Sequence, residues 1–304
     1  MTVCIIIVTY NAMKWAEKCF SSLRNSSVGV HTIVIDNGST DGTQEFIAKN
    51  FPEVELQQST KNLGFGKANN IGLEKAWKKG ADFFYLMNQD AWIYDDTIRE
   101  LLEVYEKHPE KGEMGILSPM HLDGSEQRLD IFLDKYIAQN FENRYISDLY
   151  LRSVQDLYQM KFINAAHWFL PRKTVETVGG FNPYFFHYGE DQEYVNRLHF
   201  HGKKILLCPK SRAVHDGKQN LAKVDYAKYC ELSVETNILN PNLPNAYNLE
   251  KKALVESIAK NLMLGNVKKA TELFKKSRKV TSEKKVLLDL RKKVEMPGPT
   301  FLNI

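Results

Sequence analysis

An apolar run that ends in a polar turn opens the chain: residues 3–11 have the sequence VCIIIVTYN. The run lacks polar alternation, which is typical of a central parallel strand covered on both faces. A second apolar run, residues 31–35, ends at Asp36, and a third, residues 83–87, ends at Asn88. Helical spacing between the runs predicts βαβ units over about 110 residues, and therefore an α/β fold with a mostly parallel sheet flanked by helices.

Further elements are predicted from periodicity and from Gly and Pro positions. The helices expected up to residue 201 are 16–23, 43–48, 67–79, 97–108, 174–178 and 191–201, and the additional strands are 54–57, 161–171 and 204–208. Residues 123–160 are aromatic and charged without a clear period, so we interpret them as a variable insert over the ligand-binding face. After about residue 217 the pattern changes to three helices, 249–264, 267–278 and 282–294.

The composition is that of a soluble protein. The 304 residues are 43% hydrophobic and 26% charged, and no run approaches the roughly 18 apolar residues that span a bilayer. The N-terminus lacks the basic region of a signal peptide. The four cysteines, Cys4, Cys19, Cys208 and Cys230, form no CxxC pair, which favours buried reduced thiols in a cytoplasmic protein.

Charge is distributed unevenly. Residues 250–304 hold 14 Lys and Arg against 6 Asp and Glu, whereas the remainder holds 27 against 31. A basic tail on a mildly acidic body can suit an anionic membrane surface or an acidic partner. The tail alone could also suit nucleic acid, although we predict no nucleic-acid partner, and it could equally be a solvated helical face.

Polar clusters follow several of the predicted strands, at the edge where ligands of parallel sheets bind. Thr9, Tyr10 and Asn11 could flank a nucleotide base, or Asn11 could simply cap a helix. Asp36 ends a buried strand, where an unpaired carboxylate is costly, so a base N–H or a ribose hydroxyl is a natural partner. The alternative role for Asp36 is that of a helix cap.

A glycine loop, residues 62–67 with the sequence NLGFGK, runs into a predicted helix. Its free N–H groups, with Asn62, Gly64 and Lys67, could face a diphosphate or a base. The loop lacks the GK[ST] ending of a P-loop, so ATP hydrolysis is not supported. Alternatively, the two glycines only satisfy turn dihedrals.

Taken in order, these motifs resemble those of a known family. The stretches 7–11, 34–43, 62–72 and 188–191 are similar to family 2 glycosyltransferases of the Rossmann-like GT-A fold, and most similar to bacterial rhamnosyltransferase-type members. The resemblance covers residues 1–218 and leaves 219–304 as a basic helical extension. It implies inverting transfer of a sugar from a nucleoside-diphosphate sugar, usually with Mg or Mn.

The same resemblance implies a metal site. Asn88-Gln89-Asp90 occupies the place of the family's Asp-x-Asp motif, with Asn at the first position. Asp90 is then a metal ligand, and Asn88 binds ribose or metal-bound water. His215 is expected to complete the site, as a late His does in several members, although it could instead be an ordinary surface histidine.

The resemblance also assigns the catalytic residues. Asp191 is the base that takes the proton of the acceptor hydroxyl, and Glu190 orients it or binds acceptor hydroxyls. His187 and Tyr188 belong to an aromatic run, residues 184–188, whose ring faces suit sugars. Trp168 is a second candidate for acceptor contact, or equally a core residue.

The leading hypothesis is a metal-dependent inverting glycosyltransferase acting on a saccharide or lipid-linked acceptor, in bacterial surface polysaccharide synthesis as the resemblance suggests. A nucleotidyltransferase would need a phosphate loop rich in glycine and basic residues after the first strand, which residues 9–13 lack. A non-catalytic nucleotide-sugar-binding module is the other alternative, kept open by Asn88. The C-terminal helices are expected either to contact the inner membrane surface or a partner enzyme, or to buttress the catalytic domain.

Overall fold

The computed structural model of the chain describes residues 1–217 and 232–304. Within these residues nine strands form one sheet, with the order β3-β2-β1-β4-β8-β6-β9-β5, and β7 pairs with β9 outside that row. The strands are β1 Val3–Thr9, β2 Val30–Asp36, β3 Glu55–Gln58, β4 Phe83–Asn88, β5 Ala91–Ile93, β6 Met114–Leu122, β7 Tyr158–Met160, β8 His167–Pro171 and β9 Lys204–His215.

The first half of the sheet is parallel, as predicted, and the second half is mixed. β1 pairs in parallel with β2 and β4, and β2 with β3. β8 is antiparallel to β4 and β6, whereas β9 is parallel to β6 and antiparallel to β5 and β7. Antiparallel pairings are therefore as frequent as parallel ones in the described part of the sheet. The predicted α/β fold with a central sheet between helices is confirmed, and its parallel pairings join β1 to β4 and also join β6 to β9.

The helices cover both faces of the sheet and extend beyond it. Before the undescribed residues they are α1 Met13–Arg24, α2 Thr43–Asn50, α3 Phe65–Lys78, α4 Thr97–Lys107, α5 Ile131–Gln139, α6 Tyr145–Leu151, α7 Arg172–Val178 and α8 Glu190–Phe200. After them come α9 Ser233–Leu239, α10 Ala246–Met263, α11 Val267–Ser282 and α12 Lys284–Glu295. The predicted insert thus contains α5, α6 and β7. No helix in the described ranges is long and apolar enough to cross a membrane.

Two hydrophobic clusters lie on opposite faces of the sheet. Cys4 and Ile6 of β1 belong to one cluster, and Ile5 and Ile7 belong to the other. This alternation with full burial on both sides explains why residues 3–7 are uniformly apolar. Helix α3 approaches β1 so closely that a Cβ on Gly72 would lie 2.3 Å from Ile6 Cγ2.

The C-terminal helices pack on the same body. Phe185 forms a third buried cluster with Ile238 and Leu239 of α9, Val280 of α11 and Leu287 of α12. The chain then returns, and Gly180 N–H donates to Thr300 O at 2.8 Å. These contacts agree with the buttressing role. The predicted boundary at residues 218/219 and Cys230 lie outside the described residues, whereas Cys4, Cys19 and Cys208 are buried free thiols.

Candidate active site

Asp36, the last residue of β2, organises the loop that follows it. Its buried carboxylate accepts hydrogen bonds from Thr9 Oγ1 (2.7 Å), Gly38 N (3.0 Å), Ser39 N (2.9 Å), Ser39 Oγ (2.5 Å) and Gln44 Nε2 (2.5 Å). Burial alone would raise the pKa of Asp36, but these donors lower it, so the carboxylate is ionised. Contacts of Thr9 and Asp36 with a nucleotide stay predictions, and they require the ligand to replace some of these donors.

The turn after β1 is fixed by two reciprocal contacts. Asn11 has a left-handed backbone with φ 54°, its N–H donates to Ser39 Oγ at 2.9 Å, and its Oδ1 accepts from Thr40 N at 2.9 Å. Tyr10 N donates to Gln89 Oε1 at 2.6 Å and Gln89 Nε2 donates to Tyr10 O at 3.2 Å. These hydrogen bonds join the turns that follow β1, β2 and β4 at the same edge of the sheet. The Tyr10 ring remains exposed.

The glycine loop begins α3 and lies under the aromatic segment. Gly64 has φ 84°, and a Cβ there would lie 2.3 Å from Phe186 O, so only glycine fits. Phe65 N donates to the same carbonyl at 3.2 Å. Asn37 Nδ2 donates to Gly64 O at 3.4 Å, and Asn62 Oδ1 accepts from Gly64 N at 2.8 Å. The glycine loop is therefore held by hydrogen bonds to the aromatic segment and to the loop after β2.

A cavity of about 430 Å³ lies where these loops meet. Its lining residues are Val8, Tyr10, Asn37, Asn62, Gly64, Phe65, Asn88, Gln89, Asp90, Phe186 and His187. Six of them are predicted site residues, and they come from four motifs: Tyr10, Asn62, Gly64, Asn88, Asp90 and His187. The volume is in the usual range for small-molecule sites, roughly 300–1,000 Å³.

One edge of the cavity carries the predicted metal ligands. Asp90 lies between β4 and β5, and its Oδ1 is 3.7 Å from Nε2 of His215 at the end of β9. Asn88 Nδ2 is 3.5 Å from the same ring nitrogen. On the other side of the ring, His215 Nδ1 is 2.7 Å from Oδ2 of Asp130, which is fully buried. Nδ1–H therefore donates to Asp130, and the lone pair of Nε2 points toward Asp90.

The charges around His215 favour this pairing. Burial alone would lower the pKa of His215, but the hydrogen bond to Asp130 and the charges of Asp90, Asp130 and Asp216 raise it. Burial likewise would raise the pKa of Asp130, but its contacts with His215 lower it. The hydrogen bond between His215 Nδ1–H and the ionised Asp130 fixes the ring orientation, with Nε2 on the side of Asp90.

The residues present fit a divalent cation that binds together with a phosphate ligand. Among the described residues no group of three His, Cys, Asp or Glu side chains forms a closed metal site. Asp90 and His215 would provide one oxygen and one nitrogen ligand, and Mg²⁺ and similar ions keep waters and substrate phosphates as remaining ligands.

The predicted catalytic carboxylates begin α8. Tyr188 and Gly189 have φ 67° and 86°, and this left-handed pair turns the chain into the helix. Burial raises the pKa of Glu190 and of Asp191, and the charge of Asp191 raises that of Glu190 further. Glu190 Oε2 is buried without a hydrogen-bond partner in the described structure. Carboxylates with raised pKa values suit proton transfer near neutral pH.

Another acid of α8 has a structural role. Glu193 is fully buried, accepts from Asn182 Nδ2 at 3.2 Å and pairs with Arg197 at 3.0 Å. Arg197 Nη2 also donates to Gly180 O at 2.7 Å. Glu193 is therefore neutralised within the core, in contrast to the preceding two carboxylates. Glu193 therefore has a structural role, which differs from the role predicted for Glu190 and Asp191.

The aromatic segment, residues 184–188, supplies both core and surface rings. His187 lines the cavity, and its ring lies 4.0 Å from that of the partly exposed Tyr188. Lys67 is exposed in the first turn of α3 and is not among the cavity-lining residues. The roles of all three, and those of Glu190, Asp191 and His215, stay predictions.

Trp168 is a core residue, and the prediction that it contacts the acceptor is wrong. It lies on β8 with no exposed surface, and its Nε1 donates to Ile163 O at 3.1 Å. Its ring stacks on Phe181 at 5.9 Å and contacts Tyr194 at 5.3 Å. The side chain faces the cluster between the sheet and α8, so no substrate can reach it.

Sequence reasoning missed several residues that shape the site. Asn37, Phe65, Gln89 and Phe186 lie within quoted motifs, so their place next to assigned residues was the available signal. Asp130 had no such signal. It lies in the insert, 85 residues before His215, and only the fold brings the two together.

The comparisons with known proteins agree with this geometry. The model of the family described as "Glycosyl transferase family 2" matches residues 4–159, about half of the chain. An N-acetylglucosaminyl-diphospho-decaprenol L-rhamnosyltransferase of Mycobacterium tuberculosis is 25% identical over 235 residues, which cover 69% of this chain and 75% of the relative.

Solved structures share the fold at low identity. S. aureus TarS 1-349 in complex with UDP has a TM-score of 0.53 at 16% identity, covering 86% of this chain and 72% of that one. A longer S. aureus TarS chain is covered over only 42% of its length. The mannosyltransferase PcManGT of Pyrobaculum calidifontis, in complex with GDP-Man and Mn2+, has a TM-score of 0.52 at 17% identity, covering 96% and 86%. The fold is GT-A, and the chain belongs to glycosyl transferase family 2.

Proposed function

We propose that this glycosyltransferase binds a nucleoside-diphosphate sugar in the cavity and transfers the sugar with inversion to an acceptor hydroxyl. The observation that carries the proposal is the cavity itself, because Tyr10, Asn62, Asn88 and Asp90 come from three separate motifs and meet there. Its size suits a ligand of this class. The UDP and GDP-mannose bound to proteins of the same fold support it.

The chemistry follows from the carboxylates of α8. Asp191 accepts the proton of the acceptor hydroxyl, the oxygen of that hydroxyl bonds to the anomeric carbon, and the bond from that carbon to the diphosphate oxygen breaks. We assign Glu190 Oε2, which has no hydrogen-bond partner among the described residues, to the binding of a second acceptor hydroxyl. A divalent cation held by Asp90 and His215 would supply neutralisation of the diphosphate leaving group. His187 at the cavity and Tyr188 beside it offer ring faces to the sugars.

The acceptor we propose is lipid-linked, in bacterial surface polysaccharide synthesis at the cytoplasmic face of the membrane. The name of the M. tuberculosis relative, which acts on a diphospho-decaprenol, supports this class. The basic C-terminal helices support a peripheral contact with an anionic surface.

The catalytic assignment is tested by Asp191→Asn, with Asp95→Asn as a matched control at an exposed position. We expect transfer to fall by about 10²-fold or more in the first variant, because the general base is lost, and to be unchanged in the control. Donor binding, measured by calorimetry, should remain in both variants. Full transfer by Asp191→Asn would refute the base assignment.

The donor class is tested by thermal shift with UDP-, GDP- and dTDP-sugars, with and without manganese. A metal-dependent shift with one nucleotide is expected, followed by release of that nucleoside diphosphate on transfer. Release of pyrophosphate instead would favour a nucleotidyltransferase. Donor binding without any transfer to lipid-linked or saccharide acceptors would favour a non-catalytic binding module.

A further inference from the structure

Helices α10 and α11 form an antiparallel hairpin that leaves the body of the protein. Lys251 of α10 donates to Ser277 O at 3.0 Å, to Ser277 Oγ at 2.7 Å and to Thr281 Oγ1 at 2.5 Å, which ties the base of the hairpin. Leu254 and Ala270 are buried along the hairpin. The connecting turn, residues 264–266, therefore lies at the far end of a rigid element.

The far end of this hairpin, residues 262–267, is called the tip. Met263 is 81% exposed, and Leu262, Leu264 and Val267 are each more than half exposed. Four large apolar side chains within six residues thus face solvent, whereas Leu254 and Ala270 are buried farther along the hairpin. Such a concentration of exposed apolar surface indicates an interaction site.

Basic residues surround the tip. Lys260 and Lys268 are exposed directly beside it, and Lys269 is exposed while pairing with Glu272 at 3.4 Å. Over residues 246–282 the two helices hold nine Lys and Arg against three Asp and Glu. An apolar tip flanked by Lys260, Lys268 and Lys269 suits the boundary between the head groups and the acyl chains of an anionic bilayer.

The base of the hairpin contacts the segment that leads to the catalytic carboxylates. Tyr184 OH donates to Glu283 Oε2 at 2.7 Å, just after α11, and Val280 packs with Phe185. The helix from Val267 to Val280 spans about 20 Å at 1.5 Å per residue. The tip thus stands at a fixed distance from the acceptor side of the site.

We infer that the tip inserts into the surface of an anionic membrane and holds the enzyme there. A second copy of the chain is disfavoured as the occupant, because two strongly basic hairpins would repel each other. Nucleic acid would use the lysines but leave the apolar tip uncovered. Insertion of the tip would bring the enzyme to a lipid-linked acceptor, so its purpose rests on the proposed function. The contact between the tip and the membrane does not itself require catalysis.

The test is flotation of the full chain with vesicles of equimolar phosphatidylcholine and phosphatidylglycerol, compared with phosphatidylcholine alone. The tip variant is Met263→Ser/Leu264→Ser, and the matched control is Tyr150→Ser/Leu151→Ser, which removes similarly exposed side chains from α6. The intact chain and the control should bind anionic vesicles. The tip variant should bind about tenfold or more weakly, since shallow apolar insertion is lost.

Charge reversal at Lys268→Glu/Lys269→Glu should weaken binding to the anionic vesicles as well, because two of the three lysines beside the tip then repel anionic head groups. The inference is overturned if the intact chain does not bind anionic vesicles, if the tip variant binds as tightly as the intact chain, or if light scattering shows that the tip change dissociates a dimer. Transfer to a water-soluble acceptor is measured in parallel. Its absence in a chain that still binds vesicles would refute the proposed function and not the docking.

Discussion

Replacement of Asp130 by Asn tests whether this buried carboxylate sets the tautomer of His215. Asp130 caps α5 through Oδ1, which accepts from Phe132 N at 2.6 Å and from Leu133 N at 3.3 Å. Its Oδ2 accepts from His215 Nδ1 at 2.7 Å. In the variant, the amide oxygen is retained by the two helix N–H groups, because Asn is as good an N-cap as Asp.

The amide NH₂ of the variant then faces His215 Nδ1. The ring must accept at Nδ1, so its proton moves to Nε2, the nitrogen that lies 3.7 Å from Asp90. A protonated Nε2 has no lone pair for a cation. Loss of such a supporting carboxylate typically costs 10- to 100-fold in metal affinity, or about 1.4–2.8 kcal/mol. The α5 cap remains, so the melting temperature should change little.

Manganese binding is measured by electron paramagnetic resonance, with and without UDP as a probe. Asp134→Asn is the control, since it removes the same charge from an exposed position in the first turn of α5. Long-range ¹⁵N–¹H spectra of His215 report the tautomer directly, with Nδ1–H expected in the wild type and Nε2–H in Asp130→Asn. Unchanged manganese affinity in Asp130→Asn, or an unchanged tautomer, would refute the reasoning.

Three further predictions concern the glycine loop, the catalytic pair and the C-terminal tail. Gly64→Ala should destabilise the fold by about 1–3 kcal/mol from backbone strain alone, and by more because of its collision with a carbonyl oxygen. Gly42→Ala, where φ is 90° but the space is open, shows the strain alone in the same denaturation assay. An ordinary Asp has a pKa of about 4. Because burial raises the pKa of Asp191, transfer should be lost at a higher pH than this when the solution is acidified. Glu190→Gln should not move that limb of the kcat profile upward, since removing a negative neighbour cannot raise an acid's pKa; an upward shift would contradict the assignment. Deletion of residues 298–304 should lower the free energy of unfolding by about 2 kcal/mol, as hydrogen bonds to Asn70 and Gly180 are lost. An unchanged denaturation midpoint would contradict the role of the tail.

The elements with strong local signals were predicted well. The first strand was expected over residues 3–9 and is observed over Val3–Thr9. The two long C-terminal helices were expected at 249–264 and 267–278 and are observed at Ala246–Met263 and Val267–Ser282. Uniform burial and helical spacing are local properties, so the chain displays them without knowledge of its neighbours.

Elements that depend on distant partners were missed or misassigned. Strand β6 had no prediction, and its neighbour β8 reverses direction within the sheet. Periodicity carries no information on strand direction, since the same buried residues suit a parallel or an antiparallel neighbour. Trp168 shows the same limit for side chains, because a tryptophan near acceptor-side motifs looks alike whether it faces solvent or the core.

The sequence by itself determined the strand-end motifs, the family resemblance that they carry and the residues predicted to bind a nucleotide, because each motif is a short pattern at a strand end. Tertiary structure decided which of these residues share the cavity. It also decided that Asp36 serves its own loop and that Asp130 supports His215. Both outcomes depend on hydrogen-bond partners, and Asp130 and His215 are 85 residues apart in the sequence. Such pairs form only when the sheet sets the strand ends side by side.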